Sequence, residues 1–206
     1  KEKKGNPKPL NNIEKVLSCS YNQKGDKIIL SGVNNSQTDI YEYSVLGSSQ
    51  KQITNDQYDN YNPKYFPNSN EVIFSSNRSS KNKFDTPNTN TFDLFKINVR
   101  NRKLTQLTNT PDINEKYPQP ISLKNYHYLS DKNGIYNHYQ KSKDSAISYI
   151  DTIIHYRYFD VEQQLSNFSR NALEICFSAN HNHYSILYKL NDQYQFYLEK
   201  KENIII

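Results

Sequence analysis

His181-Asn182-His183 places two imidazoles on one side of the chain if that stretch is extended, the smallest beginning of a metal site. A metal needs further ligands in a suitable geometry. No cluster of partners is evident, so the pair reads as an exposed hairpin turn. His127, His138 and His155 alternate with tyrosines, which suits packing at the edge of a core better than acid–base chemistry. Asp131-Lys132-Asn133-Gly134 starts like a calcium loop but lacks the acidic spacing and the distal Glu, and reads as a tight turn. There is no G-x-S-x-G, no H-E-x-x-H and no phosphate-binding loop. No catalytic residue, no metal and no cofactor is therefore expected. Cys19 and Cys176 lie far apart in apolar-alternating stretches and read as small buried strand residues.

These residues must be carried by some frame, and composition limits which. The chain has 206 residues, a formal charge of +5, 34% hydrophobic residues and no Met. A missing Met suggests a processed chain or a segment of a longer one. No apolar run reaches the ~18 residues of a membrane span. The low mean hydropathy of −0.95 approaches that of disordered chains, yet 18 Tyr and 9 Phe argue for a packed core, because Tyr brings a large apolar body with a polar tip. The basic residues are dispersed, and the small group Arg100, Arg102 and Lys103 reads as a solvated loop. Nucleic acid is not an expected partner.

Short runs of Ile, Val, Tyr and Phe alternate with Asn, Asp, Ser, Gly and Pro throughout, which predicts an all-β chain. The runs repeat. Lys27-Ile28-Ile29-Leu30-Ser31, Asp39-Ile40-Tyr41 and Ile53-Thr54-Asn55 reappear as Glu71-Val72-Ile73-Phe74-Ser75, Asp93-Leu94-Phe95 and Leu107-Thr108-Asn109. The offsets agree, since 93 − 39 and 108 − 54 both give 54. A third copy places Ser130 against Ser76, again 130 − 76 = 54, followed by Ile135-Tyr136-Asn137-His138-Tyr139 in the place of Asp39-Ile40-Tyr41, a stretch of strand character over 145–158, and Leu165-Ser166-Asn167. A fourth, more diverged copy runs from Asn171. The polar stretch 79–90 reads as an inserted hairpin loop. Four short strands per unit is the signature of a β-propeller blade, since a single sheet cannot bury both faces alone. The expected units are 16–62, 63–117, 118–170 and 171–206 within one propeller segment, an incomplete ring. Runs 27–30 and 71–74 read as inner strands. An open sandwich is the competing arrangement.

At these residues the sequence resembles the TolB-like, WD40-like (PD40) propeller repeats. Their pattern is an aromatic, Ser-Pro-Asp-Gly, two spacers, an apolar strand ending in Ser-x-Arg, then Asp-Ile-Tyr and a Leu-Thr pair. Tyr65-Phe66-Pro67-Asn68-Ser69 through Ser76-Asn77-Arg78 carries the likeness, with Asp93-Leu94-Phe95 and Leu107-Thr108 in order. The first copy keeps Gly25 and Asp39-Ile40-Tyr41 but has Gln23 for the Pro. The third, Leu129-Ser130-Asp131-Lys132-Asn133-Gly134, resembles a form found in long envelope propeller proteins of Bacteroidetes-type bacteria.

Physical chemistry gives these motif residues structural work. Pro67 and Asn68 fix a turn, and Gly25 supplies a positive φ. Asp39 and Asp93 are short acceptors for turn amides. Arg78 is expected to pack across a blade and bond a turn carboxylate or carbonyl. The loops with Asp56, Tyr58 and Asp59, and with Asp112, join consecutive units and would lie at one rim, where partners bind. The resemblance implies a non-catalytic scaffold at the periplasm or cell envelope, engaging protein partners and the remainder of its own chain. The same resemblance extends to propellers that gate prolyl-oligopeptidase-like serine peptidases, and a surface protein contacting carbohydrate is a third expectation.

Overall fold

The computed structural model describes residues 7–78, 91–178 and 180–200. Among them every regular element is a strand. Fifteen strands form four antiparallel meanders. The first sheet holds β1 (Lys15–Tyr21), β2 (Lys27–Asn34), β3 (Gln37–Ser44) and β4 (Ser49–Gln52). The second holds β5 (Asn60–Tyr65), β6 (Glu71–Ser76), β7 (Asp93–Asn98) and β8 (Leu104–Gln106). The third holds β9 (Glu115–Ser122), β10 (Asn125–Ser130), β11 (Asn137–Ile150) and β12 (Ile154–Gln164), and the fourth β13 (Glu174–Phe177), β14 (His183–Leu190) and β15 (Gln193–Lys200). The stretch 79–90, read above as an inserted loop, lies outside the described residues.

Strand order in each sheet follows chain order, and the first strands touch in succession, β1 with β5, β5 with β9, β9 with β13. They form the inner column of a propeller. The apolar runs β2 and β6, read above as inner strands, are second in their sheets; β6 is buried between the first and third sheets, whereas β2 meets the second sheet on one face and on the other the chain before β1, where Ile13 packs at Gly32. Three apolar cores fill the three seams. Ile29, Ile40 and Ile53 meet Val72, Phe74 and Phe95 in the first. Ile73 and Leu94 meet Tyr126, Tyr128 and Tyr139 in the second. Leu129 meets Ile175, Ile186 and Tyr188 in the third. No contact joins the first sheet to the fourth among the described residues.

The sequence boundaries at 62/63 and 117/118 fall inside β5 and β9. Pro63 and Pro118 sit at bulges there, each preceded by a residue with positive φ, Asn62 at 53° and Tyr117 at 54°. A proline has no N–H for the ladder, so a bulge is where a strand tolerates one. Both cysteines correct the expectation of burial: Cys19 and Cys176 are exposed and unbonded to one another. Their strand neighbours Ser20 and Ile175 show why, because alternation turns the two thiols onto the faces of the first and fourth sheets that point away from the adjacent sheet.

Candidate functional site

One rim of the blade array carries a polar layer that repeats. In the first sheet, Thr54 Oγ1 accepts the Ile40 N–H at 2.8 Å and donates to Asp39 Oδ1 at 2.8 Å, while Gln52 Nε2 donates to Asp39 Oδ2 at 3.0 Å. In the second, Thr108 Oγ1 accepts the Leu94 N–H at 2.7 Å and donates to Asp93 Oδ1 at 3.4 Å, and Gln106 Nε2 donates to Asp93 Oδ2 at 3.3 Å. In the third, Ser166 Oγ accepts the His138 N–H at 2.8 Å and donates to Asn137 Oδ1 at 3.1 Å. Each clasp ties the chain leaving a blade back to that blade's third strand. Burial raises both Asp39 and Asp93 above the usual carboxylate range, the threonine hydroxyls pulling the other way.

The next residues along form the connecting loops. Arg78 leaves β6 and turns over the first seam. Its Nη2 meets Asp56 Oδ2 at 2.9 Å and Asn60 Oδ1 at 2.9 Å, and its Nε donates to Ser76 Oγ at 3.0 Å. The guanidinium lies 5.1 Å from the Tyr58 ring centroid, 5.8 Å from that of Phe74 and 5.4 Å from that of Phe95. Three aromatic faces around one cation hold the 55–59 loop to the blade behind it. Asn77 Oδ1 accepts the Asp59 N–H at 2.8 Å, and one unit later Asp131 Oδ1 accepts the Asn114 N–H at 2.7 Å. Of the expected rim residues, Asp56 and Tyr58 are thus committed to Arg78. Asp59 is half-buried and Asp112 is exposed with φ 63°.

The remaining motif residues lie in turns and seams. Gly25, with φ 72°, and Asn68, with φ 51°, occupy the β1–β2 and β5–β6 turns, beside Pro67, and Gly134, with φ 86°, closes the turn after β10 by donating to the Asp131 carbonyl at 2.7 Å. Tyr41 and Ser130 are buried. Arg102, read as part of a solvated basic loop, donates to the Gln52 and Ile53 carbonyls at 2.8 and 3.1 Å and staples the second sheet to the first.

Two features were not read from the sequence. Glu115 starts β9 where Asn60 starts β5, and it is 2% exposed. The residue in the place of Arg78 is Lys132, whose Nζ goes to Glu162 at 2.6 Å instead. Glu115 Oε2 is buried without a hydrogen-bond partner among the described residues. Burial pushes the Glu115 carboxyl up to about 7, the Thr108 hydroxyl opposing and the Asp93 charge adding to the rise. The signal was the aligned change from Asn60 and Arg78 to Glu115 and Lys132. The second feature is the buried contact between His127 Nδ1 and His138 Nε2 at 2.7 Å, packed on Phe177 and Tyr184; alternation with tyrosine pointed to packing but not to the pair. His155 is apart from them, stacked on Tyr149 at 4.0 Å. His183 is exposed, and no three His, Cys, Asp or Glu gather into a metal-like group among the described residues.

No family model matches the chain, and no curated protein matches it in sequence. Solved structures do match in shape. TolB from Acinetobacter baumannii superposes with a TM-score of 0.64 at 14% identity, over 90% of this chain and 41% of that one. A putative TolB from Agrobacterium tumefaciens gives 0.53 at 12%, over 90% and 60%. Puromycin hydrolase gives 0.59 at 9%, over 91% and 27%. This chain thus spans less than two thirds of the length of each. At such identities the likeness speaks of the fold, and together with the four meanders and their inner column it identifies the chain's architecture as consecutive blades of a TolB-like β-propeller.

Proposed function

We propose that the chain is a non-catalytic scaffold that presents rigid loop surfaces to a protein partner at the bacterial cell envelope. The observation that carries this is the bracing of the inter-blade loops. The 55–59 loop is pinned by Arg78 and Asn77, and the Asn114 end of the next loop by Asp131. A loop already held in one conformation loses little entropy on binding, which suits recognition. The likeness to TolB structures supports the envelope setting, and the family resemblance of the repeats adds to it. Affinity capture from envelope fractions, with the chain immobilised, should return a specific partner whose retention falls when Asp59 and Asp112 are both changed to Lys. Failure to retain any partner overturns the reading.

The likeness to puromycin hydrolase favours a second reading, in which these blades gate a serine peptidase. A G-x-S-x-G nucleophile elbow encoded in the same reading frame would move the balance to it.

A further inference from the structure

In the third sheet β10 pairs with β11 only as far as Asn125↔Ser142. Beyond that point β11 and β12 continue alone, from Lys143↔Asp160 to Ile150↔Ile154. This two-stranded ribbon projects from the rim opposite the polar layer. A lone hairpin is marginally stable in water, yet this one carries an uncharged apolar stripe. Directly opposed residues share a face, so Ser145 and Tyr158, Ile147 and Tyr156, and Ile150 and Ile154 line one side. Ile150 is 66% exposed and Tyr158 67%. Contiguous exposure of this kind marks an interaction surface.

The stripe does not end at the ribbon's root. Lys141 and Lys143 alternate onto the same face as Ser145 and Ile147, and there they line a crevice in the second seam together with Lys96 and Lys124. Lys96 is paired with Glu71 at 2.6 Å and Lys141 lies 3.8 Å from Asp160. Lys124 and Lys143 are exposed and make no ion pair among the described residues. The surface therefore runs from apolar at the tip to positive at the root.

Antiparallel pairing, the kind every sheet here uses, gives an occupant its direction. The Lys143 N–H donates to the Lys124 carbonyl at 2.8 Å, so the β9–β10 turn closes the ladder there. Past it no strand among the described residues pairs with this edge of β11, and the Ser145 N–H is taken up by the Asp144 carboxylate at 2.7 Å. A strand laid along this edge, antiparallel to β11, continues the line of β10 and runs toward the body of the protein. Its C-terminal end arrives at Lys124 and Lys143.

We propose that the 143–150 edge and its apolar stripe form a docking site for an extended peptide of a partner protein. That peptide has apolar or β-branched side chains along its length and an acidic C-terminal end, which the root lysines receive. Main-chain pairing would supply affinity, and the stripe and lysines specificity. The inference rests on the scaffold reading and names the chemistry of the partner.

The test uses the full chain and a fluorescein-labelled peptide of alternating valine and threonine ending in Glu-Glu with a free carboxylate. A peptide with the same body ending in amidated Lys-Lys is the control. Fluorescence anisotropy should show saturable binding of the acidic peptide only. Lys124→Glu with Lys143→Glu, and separately Ile147→Asp with Tyr156→Asp, should each weaken it about tenfold or more while melting temperatures hold. Equal binding of the two peptides, or variants that bind as tightly as wild type, overturns the site. So does finding that the ribbon substitutions abolish a wild-type dimer, or binding to vesicles of anionic lipid, and leave peptide binding unmoved. Capture from envelope fractions separates the two proposals. If the partner is retained equally by both variant pairs while peptide binding is absent, the ribbon site fails and the scaffold reading stands. If peptide binding behaves as expected while no partner is retained, the envelope scaffold fails and the ribbon site stands.

Discussion

At the scale of single residues, the two seams show what one cation does for a buried acceptor layer. Arg78 satisfies Asp56, Asn60 and Ser76 at once and stacks on three rings. Its loss leaves Asn60 Oδ1 and the rings uncovered in a nearly dry place. Arg78→Ala should therefore cost about 2 kcal/mol, taking an intermediate value because Asp56 is partly solvated. Arg78→Lys should recover little, since an ammonium cannot present the same planar fork. Chemical denaturation measures both, and wild-type stability of Arg78→Ala would overturn the assignment. In the second seam, Glu115 lacks such a cation and is pushed up to about 7 by burial. Between the ordinary carboxylate value and about 7, the folded chain holds a proton that the unfolded chain has released. Stability should fall as pH rises through that window and flatten above it. Glu115→Gln should therefore raise the melting temperature at pH 8 relative to wild type and leave it little changed near pH 4.5. Parallel pH profiles for the two proteins would show that Glu115 does not drive the slope.

At the scale of elements, the Asp–Thr clasp explains why the repeat keeps its spacing. Closing each blade requires one hydroxyl to take the N–H of the third strand and donate to the preceding carboxylate, and the residues that do so stand 54 apart in the first two copies. Thr54→Val and Thr108→Val should each cost about 1–2 kcal/mol. Their effects should add, because the two clasps lie in different sheets and share no partner; a double mutant markedly less destabilised than the sum would mean that the clasps act as one unit. This periodic part of the fold was legible in the sequence, since offsets survive where residue types drift: Ser166 does for Asn137 what Thr54 does for Asp39. Strand rank was less legible. β2 and β6 look innermost because they are the most apolar, whereas the inner column is built from polar, bulged strands such as β5, whose Pro63 resembles a boundary. The ribbon was visible only as strand character over 145–158, because nothing local distinguishes a paired strand from one that outruns its sheet. Replacing 144–159 by a two-residue turn should shift the melting temperature by no more than about 2 °C, since the ribbon touches none of the three seam cores. A large drop would mean that the ribbon supports the third sheet, and differential scanning calorimetry decides it.

At the scale of the whole molecule, stacked blades exchange one buried face for another, and among the described residues the arrangement leaves two sheets with a neighbouring sheet on one side only. The polar layer was partly legible at this scale as well: Asp39, Asp93 and Arg78 stood out as motif residues, while Glu115 did not, because the aligned change from Asn60 and Arg78 to Glu115 and Lys132 becomes a missing cation only when the two positions are seen together in three dimensions. The outward face of the fourth sheet is the more apolar of the two. On β14 and β15 it presents Leu187 opposite Phe196, Ser185 opposite Leu198 and Lys189 opposite Tyr194. Phe196 is 71% exposed and Leu198 82%. In the interior seams the corresponding surface is covered by the next sheet, and burial of such side chains is worth ~25 cal/mol per Å². Two copies that bring these faces together recover part of that stabilisation without any change of fold, and the outer edge of β15, which pairs with no strand among the described residues, adds a second route to contact. Sedimentation velocity of the isolated chain should accordingly show concentration-dependent association. Phe196→Lys with Leu198→Lys should return the chain to monomer through charge repulsion across the contact, whereas Ile147→Asp with Tyr156→Asp on the ribbon should leave the association in place. If the ribbon pair and not the β15 pair dissolves the complex, the exposed blade face is not what drives self-contact.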